Sequence, residues 1–222
     1  LVNRFKEETM IAFDMTEEQK MIVEAVSKFA VEEMREAARE CDEAGQIPQD
    51  LIDTAWEFEL IASQVPEEYD GFGGHSALTG VLVAEALAYG DLSIAVHALA
   101  PGLVAFPILE AGTEEQKATY LPPFCGEAFK PATAALTEPR YDFDPNALAT
   151  TASLDGDEYV LNGQKCYVPL AAEADMLLVW AAENGATQGF IVPKDTPGLE
   201  IGEREKNMGL KALATYELAL NG

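Results

Sequence analysis

The chain has 222 residues, 48% of them apolar, and a formal net charge of −25 from 39 acidic and 14 basic residues. The apolar share supports a buried core and excludes a disordered chain. The acidic excess excludes a nucleic-acid partner, which needs basic stripes to meet phosphates. Cys41, Cys125 and Cys166 are far apart and form no CxxC or Cys/His cluster; they read as free thiols in a reducing compartment and place the protein in the cytoplasm. His75 and His97 lack ligand-like spacing, so no metal site is expected. The most apolar region, residues 77–109, is interrupted by Glu85 and Asp91, so no membrane span is expected. Residues 1–9 carry mixed charge without an apolar signal segment, and the first residue is not Met, so the start reads as trimmed or processed.

After an extension over residues 1–13, Thr16-Glu17-Glu18-Gln19 has the form of a capping box. Ile22, Val26, Phe29, Ala30, Met34, Ala37 and Cys41 then recur at helical spacing up to Gly45. Pro48 suits the first turn of a second helix carrying Leu51, Ile52, Ala55, Trp56 and Leu60. Val65 to Gly74 reads as a loop; it is acidic and no Gly-Lys-Ser/Thr follows, so its glycines signal a turn rather than a phosphate cradle. Two strongly apolar helical stretches follow, Ser76 to Tyr89 and Leu92 to Ala111, the second with Pro101 and Pro107 as kinks or boundaries. Thr113-Glu114-Glu115-Gln116 opens a short helix that stops before Pro122. Residues 14–129 therefore read as a bundle of five to six helices.

From residue 130 the periodicity changes. Strands are expected over 131–137, 149–154, 158–161, 176–180, 189–193 and 215–220, with Asp155-Gly156, Asn162-Gly163 and Asn184-Gly185 as tight turns between them. The expected fold is α+β and multidomain: an all-α bundle over 14–129, then a small antiparallel β-barrel or sandwich over 130–222. The last residues follow a strand directly, which reads as truncation.

Ala135-Leu136-Thr137-Glu138-Pro139 resembles a signature of the acyl-CoA dehydrogenase family. Met15 to Gln19, Val65 to Gly71, Gly112 to Lys117, Leu161 to Lys165 and the Lys206-Asn207-Met208-Gly209 segment match further family motifs in order and spacing, covering about residues 14–222. The resemblance implies a helical domain, a middle β domain and a C-terminal four-helix domain missing from this chain. It implies α,β-dehydrogenation of an acyl-CoA thioester: a carboxylate removes the α-proton while a hydride leaves the β-carbon for FAD. The carboxylate usually lies in the C-terminal domain, so no catalytic residue is assigned here, and Glu138 is expected to anchor a loop. The resemblance also implies a homo- or hetero-oligomer and an electron-transfer flavoprotein as redox partner. The net charge of −25 repels coenzyme A at long range, so its site needs local cations or another chain.

Leu136 and Thr137 match positions that meet the flavin ring, and Tyr167 matches an aromatic position that packs against it. Elsewhere the chain departs from the pattern. Asp142 and Phe143 stand where the family has Gly and Ser near the FAD diphosphate, and Pro169 replaces a Thr or Ser near flavin N5. An unpaired carboxylate about 4 Å from a phosphate charge costs about 4 kcal/mol at an effective dielectric of 20. Two expectations therefore stand side by side: a flavoprotein dehydrogenase, and a silent, non-FAD-binding subunit of a hetero-oligomeric one.

Overall fold

A computed structural model describes residues 14–222. The expectation for residues 1–9 lies outside the described residues. Among the described residues seven α-helices come first. The Thr16 hydroxyl accepts the Gln19 N–H while the Gln19 side chain accepts the Thr16 N–H, so both partners of the expected capping box open α1 (Glu17–Phe29). That helix runs through a π-helical turn, Ala30–Met34, into α2 (Arg35–Ala44), which ends on left-handed Gly45. The chain continues as α3 (Gln49–Trp56), α4 (Ala77–Gly90), α5 (Leu92–Leu99), α6 (Gly102–Ala111) and α7 (Glu114–Tyr120). Pro48 is the N-cap of α3, one residue before its expected place, and α3 stops short of Leu60.

The second apolar stretch is two helices. α5 and α6 meet at 43°, with Pro101 starting the second and Pro107 inside it. Together they are long and apolar enough to cross a membrane, but no single helix among the described residues is. Ile94, Val104 and Ile108 among their apolar side chains are already buried within the protein. The glycine-rich loop does hold close backbone contacts. A Cβ on Gly71 would stand 2.0 Å from the Val65 carbonyl oxygen, so only glycine allows the loop to fold back on itself there.

Among the described residues seven strands make one curled sheet: β1 (Ala132–Ala135), β2 (Thr151–Asp155), β3 (Glu158–Pro169), β4 (Met176–Glu183), β5 (Ala186–Pro193), β6 (Leu199–Arg204) and β7 (Thr215–Asn221). Their order is β1–β4–β2–β3–β7–β6, with β5 along β4. The sheet is mixed, which corrects the antiparallel expectation. β1 lies parallel to β4 over Met176–Val179, and β2 meets β4, also parallel, at Ala182. Parallel pairing needs long connections, which the 40 or so residues between β1 and β4 and the 20 or so between β2 and β4 supply. Among the described residues β5 pairs only with β4 and β6 only with β7, so the sheet curls without closing through hydrogen bonds.

Asp155 pairs with Glu158 and Glu183 with Ala186, so two of the expected turns are two-residue hairpins, the second with positive φ at Asn184 and Gly185. Asn162-Gly163 is not a turn. It lies inside β3, opposite Asn221 and Leu220. A Cβ on Gly163 would stand 2.5 Å from Thr150 Oγ1, so this glycine serves close packing within the sheet, which dipeptide preference cannot show. β6, with Gly202 and four charged residues nearby, carries too short an apolar alternation to announce itself.

Three apolar clusters hold these parts together. One lies among α1–α5, with Val26, Met34, Leu87 and Ile94 fully or nearly fully buried. One is inside the sheet around Leu177, Val179 and Leu218. The third joins Val104, Leu121 and Phe124 of the helical half to Ala132 and Leu178 of the sheet. Leu87→Ala should lower unfolding free energy by about 2–5 kcal/mol. Leu78→Ala on the same helix, 60% exposed, should stay within about 0.5 kcal/mol. Urea denaturation of the two variants checks the burial pattern.

Candidate functional site

The site grows from the exit of β1. Residues 136–150 leave the edge of β4 where β1 ends and rejoin it where β2 begins. Glu138 fixes this excursion. Its side chain is 2% exposed, and it accepts hydrogen bonds from the Ala149 N–H (2.7 Å), the Thr150 N–H (2.7 Å) and Lys165 Nζ (3.0 Å). Lys165 is fully buried and also donates to the Leu136 carbonyl at 3.1 Å. Burial pulls the Glu138 carboxyl upward, but the hydrogen bonds from Thr150, Ala149 and Lys165 outweigh it and hold it down to about 2. Burial pushes Lys165 below the usual lysine range although Glu138 opposes it. The two shifts pull oppositely on the pair's net worth. The carboxylate's is the better supported, since its oxygens meet three donors while Lys165 has two acceptors for three N–H groups. Glu138 is a loop anchor, as its position suggested; its partner Lys165 is not legible in the sequence, because a lysine inside a polar Asn-Gly-Gln-Lys run carries no sign of burial.

The Cys166 N–H donates to the Thr137 carbonyl at 2.9 Å. This contact, with Lys165 on Leu136, brings the three residues singled out in sequence, Leu136, Thr137 and Tyr167, to one place between β1 and β3. Thr137 is half-buried, and its hydroxyl makes no hydrogen bond among the described residues. A register shift between Lys165 and Val168 interrupts β3, and Tyr167 takes φ 54 there with its side chain 61% exposed. A bulge of this kind re-aims a side chain, and positive φ at a bulky residue stores strain that clusters at functional sites. Pro169 pairs with Thr215 in the β3–β7 ladder and offers no N–H.

The Tyr167 N–H donates to Glu205 Oε1 at 3.2 Å, while Glu205 Oε2 is buried with no partner among the described residues. Glu205 borders a recess of about 400 Å³ with Arg204, Lys206, Asn207, Lys211 and Leu213. This gathers three cations beside Tyr167 in a strongly acidic chain, although two have work elsewhere. Arg204 donates to the Gly45 and Lys211 carbonyls at 2.7 and 2.6 Å, and Lys211 Nζ lies 3.8 Å from Asp42. These contacts also moor the β6–β7 loop to the end of α2.

The excursion carries a second charged group. Arg140 forms a two-pronged pair with Asp142: Nε to Oδ1 at 2.9 Å and Nη2 to Oδ2 at 3.0 Å. It also donates to the Ala147 carbonyl at 3.3 Å, and Nη1 stands 4.0 Å from Glu138. Asp142 is therefore not the bare charge that its sequence position suggested. Phe143 is half-buried, and Tyr141 between the paired residues projects fully into solvent.

A family model for the acyl-CoA dehydrogenase N-terminal domain matches residues 16–128, and one for the middle domain matches residues 133–222. This chain belongs to the acyl-CoA dehydrogenase family. It is 36% identical over 216 residues to "Probable acyl-CoA dehydrogenase YngJ" of Bacillus subtilis, covering 94% of this chain and 56% of the relative. Among solved structures it is similar to butyryl-CoA dehydrogenase from Megasphaera elsdenii (29% identity, TM-score 0.80, 95% of this chain and 57% of that one). It is likewise similar to a glutaryl-CoA dehydrogenase from Mycobacterium smegmatis in complex with FADH2 (28% identity, TM-score 0.80, 94% and 53%). The chain thus spans about half the length of the relatives it matches.

The Glu138–Lys165 pair is open to a stability test. Lys165→Met should cost about 3–5 kcal/mol by leaving a buried carboxylate without its cation, and adding Glu138→Gln should recover part of that loss. The Glu138 pKa is depressed on folding, so its contribution is present above an unfolded value of about 4.3 and is lost as pH falls toward 2. Glu138→Gln should flatten that part of the acid limb of a stability–pH curve measured by urea unfolding.

Proposed function

We propose that this chain is the helical and β portion of an acyl-CoA dehydrogenase-type flavoprotein, with domains over 14–129 and 130–222, and that FAD lies along Leu136, Thr137 and Tyr167. The observation that carries this reading is the Cys166–Thr137 hydrogen bond with the adjoining bulge, which joins the backbone of Thr137 to the residue that precedes the outward-turned Tyr167. The donor set suits the cofactor. Glu205 Oε2 is an orphaned buried acceptor next to Tyr167, and a flavin brings N–H and hydroxyl donors that such an acceptor takes.

Bound FAD supplies the acceptor for the hydride removed from an acyl-CoA β-carbon. The chain's own residues bind and orient. Tyr167 presents a ring face for stacking, and the Thr137 hydroxyl offers a donor to a polar ring edge. Lys165, through the Leu136 carbonyl, holds the backbone next to Thr137 in place. The carboxylate that takes the substrate's α-proton is not assigned to any residue of this chain. An oligomer, an acyl-CoA substrate and an electron-transfer flavoprotein as oxidant belong to the same proposal, as does a cytoplasmic setting, with which three unpaired cysteines agree.

A second reading, a silent subunit that binds no FAD and partners an active paralogue, is favoured by Pro169, which removes a backbone donor from this region. Visible absorption of the purified protein after incubation with FAD and desalting separates the two. The first reading expects about one flavin per chain, with Tyr167→Ala weakening retention by about tenfold, the loss of one stacking contact. A wild-type protein that stays colourless would sink that reading and leave the silent subunit.

A further inference from the structure

The feature that the proposed flavin site does not yet use is the Arg140–Asp142 pair. Among the described residues, Arg140 is the one Lys or Arg side chain bordering a recess of about 270 Å³ formed with Glu138, Pro139, Ala149, Thr150, Gly163 and Gln164. The Ala149 and Thr150 N–H groups, which could have served an anion there, are already taken by Glu138. The guanidinium is therefore the remaining cationic donor of the recess. Its side chain is 32% exposed, whereas Asp142 is 81% exposed.

The planar fork of an arginine meets carboxylate and phosphate in the same two-pronged geometry. Asp142 sits two residues away and satisfies that fork in the absence of any other anion. An exposed carboxylate is a weak partner in water, and a diphosphate carries more charge and more acceptor oxygens. The remaining anchors, Arg140 Nη1 on the Ala147 carbonyl and the Arg140 N–H on the Glu138 carbonyl at 2.7 Å, hold the arginine at the recess without Asp142.

We propose that Arg140 is a diphosphate ligand held in reserve by Asp142, and that a dinucleotide binds by displacing this tethered carboxylate from the guanidinium. The inference rests on the proposed FAD site. It turns the departure at Asp142 and Phe143 into an exchange: the donor lost with Ser returns as a cation, and its neighbouring acid becomes an internal competitor. Affinity for the phosphorylated cofactor is therefore set by two opposed side chains, whereas affinity for the flavin ring alone is not.

The test is fluorescence titration of the purified protein with FAD and, separately, with riboflavin, which has the ring but no phosphate, at low and high salt. Asp142→Asn should tighten FAD by about tenfold, and Arg140→Gln should weaken it by about tenfold, the effect of gaining or losing one charge-assisted contact. Arg140→Lys, which keeps the charge but not the fork, should fall between wild type and Arg140→Gln. None of the three should move riboflavin binding by more than about twofold, and Arg140→Gln should flatten the salt dependence of FAD binding. FAD affinity unchanged in both Asp142→Asn and Arg140→Gln, or shifted equally for FAD and riboflavin, would overturn the role of Arg140 while leaving the flavin site intact. Failure of wild type and Asp142→Asn to bind either flavin would instead remove the flavin site itself, and the proposal with it.

Discussion

The buried contact between Lys165 and Glu138 is the constraint on which the site depends. It joins three pieces of chain that are remote in sequence: the end of β1, the start of β2 and the middle of β3. A buried ion pair of this kind is a poor source of net stability, because removing both charges from water costs about as much as their attraction returns. What it supplies is position. Glu138 can satisfy its carboxylate only where the Ala149 and Thr150 N–H groups converge, and Lys165 only where the Leu136 carbonyl also lies. The backbone around Thr137 therefore has few alternatives, and Cys166, which precedes the bulged Tyr167, is hydrogen-bonded to it.

A second level of order comes from the junction between helices and sheet. Leu121 and Phe124 pack with Ala132 and Leu178 in one apolar cluster, so β1 is seated on the helices before it enters the sheet. On another side Arg204 and Lys211 bind the end of α2 through Gly45 and Asp42. These polar contacts are exposed and individually weak, but they determine where the β6–β7 loop, and with it Glu205, sits relative to Tyr167. The orphaned Oε2 of Glu205 is a cost that packing elsewhere offsets; such groups persist where a ligand completes them.

Charge organises the surface differently from the interior. A net charge of −25 sets a repulsive background for any phosphorylated ligand. Against it, local cations matter more than their number suggests, and several at the site are already engaged by the protein: Lys165 with Glu138, Arg140 with Asp142, Lys211 near Asp42. The buried pair holds its geometry because neither partner can be replaced by water. The exposed pair is exchangeable for the same reason in reverse.

By itself the sequence determined the two-part α+β organisation, the capped starts of α1 and α7 and the family, because these depend on local periodicity, on side chains that reach three residues along the chain, and on motifs in order. It also marked Leu136, Thr137 and Tyr167 as candidates and Glu138 as an anchor. Only the tertiary structure decided that the sheet is mixed, that Asn162-Gly163 runs straight through β3, and that Lys165 is buried. It alone showed that Asp142 has a partner in Arg140 and that Glu205 meets the Tyr167 backbone. A turn-prone dipeptide becomes strand when the chain it packs against, here Thr150, leaves room for no Cβ. A charge is costly or harmless according to what stands within 3 Å of it, and residues up to 169 positions apart made that decision here.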